Sequence, residues 1–328
     1  MHRCRALIPL SIGVAFLLTG CSSGTTDSTP AAPTRSARCP GRGTGIASPG
    51  ASRVTIPGVT RVDLDLVDRS RSTPAIPGRA GFPCRDLATE IRYPTEATVA
   101  LPLIVVAHGL DGDPTTLGPL LDAWAAAGYV VTAPTFPTTE KDGDGTSLPS
   151  ANVGQAADIR FVIDQLFDQG RADAADAAHG LIDERHIGVA GMSLGGQTVY
   201  GLVANSCCED DRVSAAIVMA GVHRDYPGGT FVQNRVPVLL EQGDADQGYH
   251  NSLTAYPKLA SPKWFITLHG SRHAPPFEIP LGPEAPLVRS TTTDFWNLYL
   301  KSDRTAGRRI VATVDGSNGM ATLRRDLG

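Results

Sequence analysis

A serine alcohol attacks a carbonyl carbon only when a neighbouring base takes its proton and a third group holds that base in place. One serine of this chain has a setting suited to such chemistry: Ser193, in Gly191-Met192-Ser193-Leu194-Gly195. The apolar run Ile187 to Ala190 ahead of it has strand character, and Gly196 to Val203 behind it has helical character. Strand, sharp turn and helix around G-x-S-x-G make a nucleophile elbow. The serine is expected at a strained backbone position, with Gly191 and Gly195 omitting side chains that would collide where strand and helix pack closely. Ser193 then projects at the positive end of a helix, where the amide of Leu194 can stabilise a developing oxyanion.

An elbow serine is followed along the chain by its acid and then by its base. Of eight histidines, His223, His250, His269 and His273 come after Ser193. His273 falls in a loop just past the last expected parallel strand, Trp264 to Leu268, from which an imidazole can reach over the sheet edge. His269, at the strand end, is expected to be buried by packing. For the acid, the strand Val238 to Leu240 breaks into Glu241-Gln242-Gly243-Asp244-Ala245-Asp246. That stretch offers Asp244 and Asp246, with Asp225 a more distant candidate; Asp244 is read as bracing the turn. His108-Gly109-Leu110 closes another strand, and there the amide of Leu110 is expected as second oxyanion donor. His108 is expected to fix that loop by hydrogen bonds, not to act as a base.

The elements that must position these residues follow from periodicity. Val62, Leu64 and Leu66 alternate with polar neighbours, as in a half-buried strand, and Leu87 to Tyr93 forms a second, making an antiparallel edge. Leu103 to Ala107 and Tyr129 to Ala133 are continuous apolar runs, expected as strands covered on both faces. Asp113-Pro114 caps a helix that runs to Gly128. Pro134 to Asn152 reads as a long loop bordering the cleft. Its aspartates lack the remaining ligands of a calcium loop, so it is read as solvated turn. Ile159, Val162, Ile163, Leu166 and Phe167 mark an amphipathic helix, and Val213 to Met219 and Val236 to Leu240 are further strands. Phe295, Trp296 and Tyr299 face inward on a helix from about Thr291 to Leu300. Alternating strands and helices imply an α/β chain: a mostly parallel central sheet, helices on both faces and antiparallel N-terminal edge strands. Ligands in such sheets sit beyond the carboxyl ends of the strands.

At 328 residues with 41% hydrophobic content, the chain can bury one large core or two small ones, and a formal charge of -4 gives no footprint for nucleic acid. Arg3 and Arg5 ahead of the apolar run Ala6 to Leu18 make residues 1–20 a targeting segment too short to span a bilayer. Leu18-Thr19-Gly20-Cys21 resembles the lipobox of bacterial lipoproteins, which implies acylation of Cys21 and anchoring on the outer face of a membrane; the alternative is an ordinary secretory leader. Residues 21–52, rich in Ser, Thr, Pro and Gly, read as a tether, and 53–328 as the body. Cys39, Cys84, Cys207 and Cys208 are expected to pair structurally in an unspecified pattern, a bond between adjacent cysteines being uncommon. No Cys/His spacing of a zinc site appears.

His108-Gly109, the Gly191 to Gly195 elbow, Gly243 to Asp246 and His273 together resemble an α/β-hydrolase over nearly the whole body. Finer features are similar to the group containing platelet-activating-factor acetylhydrolases, chlorophyllases and cutinase-like polyester hydrolases. These are Asp68-Arg69-Ser70-Arg71-Ser72-Thr73-Pro74, Arg92-Tyr93-Pro94, His108-Gly109-Leu110 and His273-Ala274-Pro275-Pro276-Phe277. Two positions depart from the pattern: Met192 stands where many relatives carry histidine, and Leu194 follows the nucleophile. Ser193 argues against the activity of the similar dienelactone hydrolases, which use cysteine there. The resemblance implies a serine esterase with Ser193 as nucleophile, His273 as base, Asp246 as acid, and the Leu110 and Leu194 amides as oxyanion hole. It implies a small ester or lipid as substrate, no cofactor or metal, and a monomer. No large helical insertion forms a lid, which favours small or accessible esters over long-chain triglycerides. Acyl transfer or peptide cleavage by the same triad, or a surface lipoprotein that only binds ligand, are the alternatives.

Overall fold

The apolar periods of the sequence sort into two separate cores, one on each face of a single sheet. In the computed structural model, residues 54–328 are described apart from 57, 77–79, 141–148, 169–177 and 179. The expected leader, Cys21, Cys39 and the tether lie outside the described residues. The strands are β1 (Val54–Ile56), β2 (Val59–Asp68), β3 (Arg85–Pro94), β4 (Leu101–Ala107), β5 (Val130–Pro134), β6 (Ile182–Met192), β7 (Val213–Met219), β8 (Val238–Gly243), β9 (Lys263–Leu268) and β10 (Ala321–Asp326). Between them run the helices α1 (Gly118–Ala126), α2 (Pro149–Phe167), α3 (Leu194–Ala204), α4 (Tyr249–Ala255), α5 (Ala285–Leu300) and α6 (Ala306–Asp315). The strand order is β1-β2-β3-β5-β4-β6-β7-β8-β9-β10. Strands β5, β4, β6, β7, β8 and β9 are mutually parallel, whereas β1, β2 and β3 are joined antiparallel at one edge and β10 at the other. The protein is therefore α/β with a mostly parallel sheet.

Each central strand feeds both cores because successive side chains point to opposite faces. Leu103, Val105 and Ala107 of β4 enter the core under α2 and α3, and Ile104 and Val106 enter the core under α1, α5 and α6. Burying a residue of this size is worth about 1.5–3 kcal/mol, so both faces of β4 must be apolar, and the strand reads as an unbroken run. The stripe expected on α2 is buried at Ile159, Val162, Ile163 and Leu166. Trp124 of α1 meets Trp296 of α5 edge-on at 5.8 Å, at the centre of the opposite core.

Several boundaries differ from expectation. The segment after Asp113, whose carboxylate caps Thr115 N at 2.7 Å, begins as a 3-10 turn, Pro114–Leu117, before α1. The expected loop to Asn152 ends at Pro149, where α2 starts. Strand β8 begins at Val238, and α5 starts six residues before Thr291. Helices α4 and α6 and strands β1 and β10 had no counterpart in the expected elements; β10 carries one large apolar residue amid charges and is held by its pairing with β9. His269 is a correction: its side chain is 39% exposed, not buried, and pairs with Asp244 at 2.8 Å. The reason is that β9 ends at Leu268 and the chain turns away at Gly270, φ 72°. The adjacent Cys207 and Cys208 form a disulfide, with Cα atoms 3.8 Å apart, and Cys84 is also disulfide-bonded.

After β4 the chain moves outward to β5, and α2 then carries it back across to β6 on the other side of β4. This reversal opens a crevice beyond the carboxyl ends of β4 and β6. Gly109-Leu110 leaves the first strand there and Ser193 the second.

Candidate active site

Ser193 occupies a backbone position that L-residues rarely adopt, φ 55° and ψ -115°, between β6 and α3. Such a conformation costs on the order of 1–3 kcal/mol and persists only where the surroundings enforce it. They do so here by close approach. A methyl group on Gly191 would lie 2.2 Å from Gly195 O, and one on Gly195 would lie 2.0 Å from Ala107 O. Both glycines thus allow α3 to start against β4 and β6. Leu194 is the first residue of α3, so its amide has no helical carbonyl to donate to.

The loop after β9 brings His273 to this point. His273 Nε2 lies 2.8 Å from Ser193 Oγ, and His273 Nδ1 lies 2.6 Å from Asp246 Oδ2. A carboxylate only accepts hydrogen bonds, so Nδ1 carries the proton and Nε2 is left to accept from the serine hydroxyl. Asp246 is buried and is itself oriented: Gly248 N donates to Oδ1 at 2.8 Å and Gln242 Nε2 to Oδ2 at 2.5 Å. Gln242 is held in turn by Ser252 Oγ, which donates to its Oε1 at 3.0 Å. Of the residues expected at the site, Ser193, Asp246 and His273 are therefore brought into one relay. Asp244 instead accepts from Gly270 N at 2.7 Å and pairs with His269, bracing the turn. Asp225 interacts electrostatically with His223.

Opposite Ser193, Gly109 carries the other expected oxyanion loop. A methyl group on Gly109 would stand 3.3 Å from Ser193 Cβ, 3.5 Å from Met192 Sδ and 3.6 Å from Glu278 Oε1. The amide of Leu110 follows directly, while its side chain is exposed. His108 anchors this loop. Phe136 N donates to its Nε2 at 3.0 Å, so the proton sits on Nδ1, which donates to Gly109 O at 2.7 Å. Burial holds the imidazole down to about 4, neutral under ordinary conditions. Both nitrogens are committed to backbone, in keeping with a loop-fixing role.

Beside the triad lies an open cleft of about 500 Å³ lined by Ser193, Gln197, Val222, Gln247, Arg272 and His273, among others. No described residue of the loop after β5 is among its lining residues, and the described part of that loop backs His108 through Phe136; residues 141–148 of it lie outside the described residues. Three participants had no assigned role in the sequence: Gln242, Ser252 and Glu278. Gln242 lies inside the stretch that supplies the acid, but the contact to Ser252 depends on how α4 packs against β8. No group of three or more His, Cys, Asp or Glu that could hold a metal occurs among the described residues. No protein-family model matches the chain, and no curated protein matches it.

Proposed function

We propose that this chain is a serine hydrolase of the α/β-hydrolase fold that cleaves carboxylic esters. The carrying observation is the Asp246–His273–Ser193 hydrogen-bond relay, ending on an elbow serine at the positive end of α3. Ser193 Oγ attacks the ester carbonyl as its proton passes to His273 Nε2, and the carbonyl oxygen becomes an oxyanion received by the amides of Leu110 and Leu194. The C–O bond to the alcohol then breaks, and the imidazolium returns the proton to the departing oxygen. Water, deprotonated by His273, adds to the acyl-enzyme, and the acid leaves with Ser193 restored. Asp246 holds the tautomer this cycle requires and stabilises the imidazolium formed in it. The cleft beside the triad is open, with His273 46% exposed, which suits small or accessible esters. In this reading the enzyme works outside the cytoplasm, held by a lipid anchor at Cys21 or secreted; the sequence pattern of the leader and Cys21 supports this.

The test is direct. A fluorophosphonate probe should label the wild-type protein and leave Ser193→Ala unlabelled, and turnover of a p-nitrophenyl ester should fall on the order of 10⁶ in that variant. Near-normal activity without Ser193 would sink the assignment; a protein that neither labels nor hydrolyses would be a ligand binder, and acyl transfer to an added alcohol or amine would point to an acyltransferase.

A further inference from the structure

Glu278 is a carboxyl for which the ester-cleaving cycle has no use, yet it stands at the nucleophile. Its backbone N–H donates to Ala274 O at 2.9 Å, which fixes it one turn beyond His273. Its Oε1 borders the same small space beside Gly109 that Cβ of Ser193 borders, 3.6 and 3.3 Å from a methyl group placed there. The carboxyl is half-buried and accepts no hydrogen bond among the described residues; burial pushes it above the ordinary carboxylate range, and a protonated His273 pulls the other way.

The two loops that meet beside this carboxyl carry exposed hydrocarbon. Of five large hydrophobic side chains exposed among the described residues, three sit on the two loops that meet here: Leu110 (38%), Ile279 (52%) and Leu281 (41%). Ile279 N donates to Thr116 O at 3.1 Å, so the loops are tied together. A carboxylate partly lifted from water favours a partner cation that gives up its hydration cheaply, an alkylated ammonium over a primary one, and exposed hydrocarbon on the adjoining loops suits the alkyl groups. The cleft lined by Gln197, Val222, Gln247 and Arg272 also borders Ser193, and Glu278 is not among its lining residues.

We propose that Glu278 is a specificity residue that selects esters carrying an alkylated ammonium group close to the reacting carbonyl. This rests on the ester-hydrolase reading, and the experiment separates the two. Two isosteric pairs are compared at mildly alkaline pH and low salt. One is acetylthiocholine against its uncharged tert-butyl analogue, with the charge in the leaving group. The other is the p-nitrophenyl ester of a trimethylammonio-alkanoate against its tert-butyl analogue, with the charge in the acyl group.

For one pair or both, wild-type kcat/KM should favour the cationic member by about tenfold, a modest value because the site is partly solvated. Added salt should shrink the preference. Glu278→Gln should bring the ratio to about one, and Glu278→Lys should invert it. The ratio is taken within each variant, so partial loss of folded protein cancels. An unchanged ratio in both variants, or a wild-type preference for the uncharged member of both pairs, overturns the assignment. If a simple p-nitrophenyl ester is cleaved but neither pair is, the assignment is overturned; if no ester is cleaved, or Ser193→Ala cleaves them as well as wild type, it is the hydrolase reading that fails.

Discussion

Glu241 lies wholly inside the protein on β8, with Thr291 Oγ1 donating to its Oε1 at 2.6 Å and its Oε2 buried without a hydrogen bond. Loss of hydration there pushes its carboxyl from the ordinary 4.5 up to about 8. Below about pH 4.5 the folded and unfolded chains both hold this proton, and the group adds no pH dependence. Above that value the unfolded chain releases the proton while the folded one retains it, so stability falls as pH rises and levels off only above about 8. At about 1.4 kcal/mol per unit, the gap between 4.5 and about 8 amounts to on the order of 5 kcal/mol. That is a large part of the 5–15 kcal/mol typical of a folded domain, roughly speaking. Glu241→Gln keeps the shape and removes the proton. Urea unfolding of both proteins at a series of pH values from acid to mildly alkaline isolates the effect, because every other titrating group cancels in the difference. The glutamine variant should gain on wild type steadily across that window and run parallel to it above. A difference that stays constant with pH would refute the argument, since it would mean that the buried carboxyl carries no retained proton.

Two further outcomes follow from the same geometry. Asp246→Asn should lower kcat by about 10⁴, because an amide in place of the carboxylate favours the wrong imidazole tautomer. Asp244→Asn should cost far less, since its partners are His269 and Gly270; the reverse ranking in a p-nitrophenyl ester assay would show that the other aspartate serves the base. Gly188 of β6 leaves room for α5: a methyl group there would lie 2.8 Å from Trp296 Cζ3 and 3.0 Å from Leu300 Cδ1. Gly188→Ala should therefore cost about 1–3 kcal/mol of unfolding free energy by overpacking, and an unchanged denaturation midpoint would contradict that contact.

Much of the protein was legible one residue after another, because strand and helix periods and turn residues are local properties. The unbroken run Leu103 to Ala107 announces a strand buried on both faces, and Gly191, Ser193 and Gly195 announce the turn that now has Ser193 at φ 55°. Chain order left four histidines, and a place in the loop past the last parallel strand singled out His273, while the resemblance singled out Asp246; the two side chains stand 2.6 Å apart. What the sequence could not carry is contact between segments with no period in common. β10 exists because β9 presents an open edge to it, which a stretch as charged as Leu323-Arg324-Arg325-Asp326 does not reveal. His269 looked like the last buried residue of a strand, but burial depends on where the neighbouring chain stops, and it points to Asp244 at the surface. Gln242 braces Asp246 only because α4 sets Ser252 against it, and Glu278 comes beside Ser193 only because its loop folds back onto Gly109. Local pattern determined which elements form and which residue types could react; the packing of loops at one end of the sheet decided which of those residues meet.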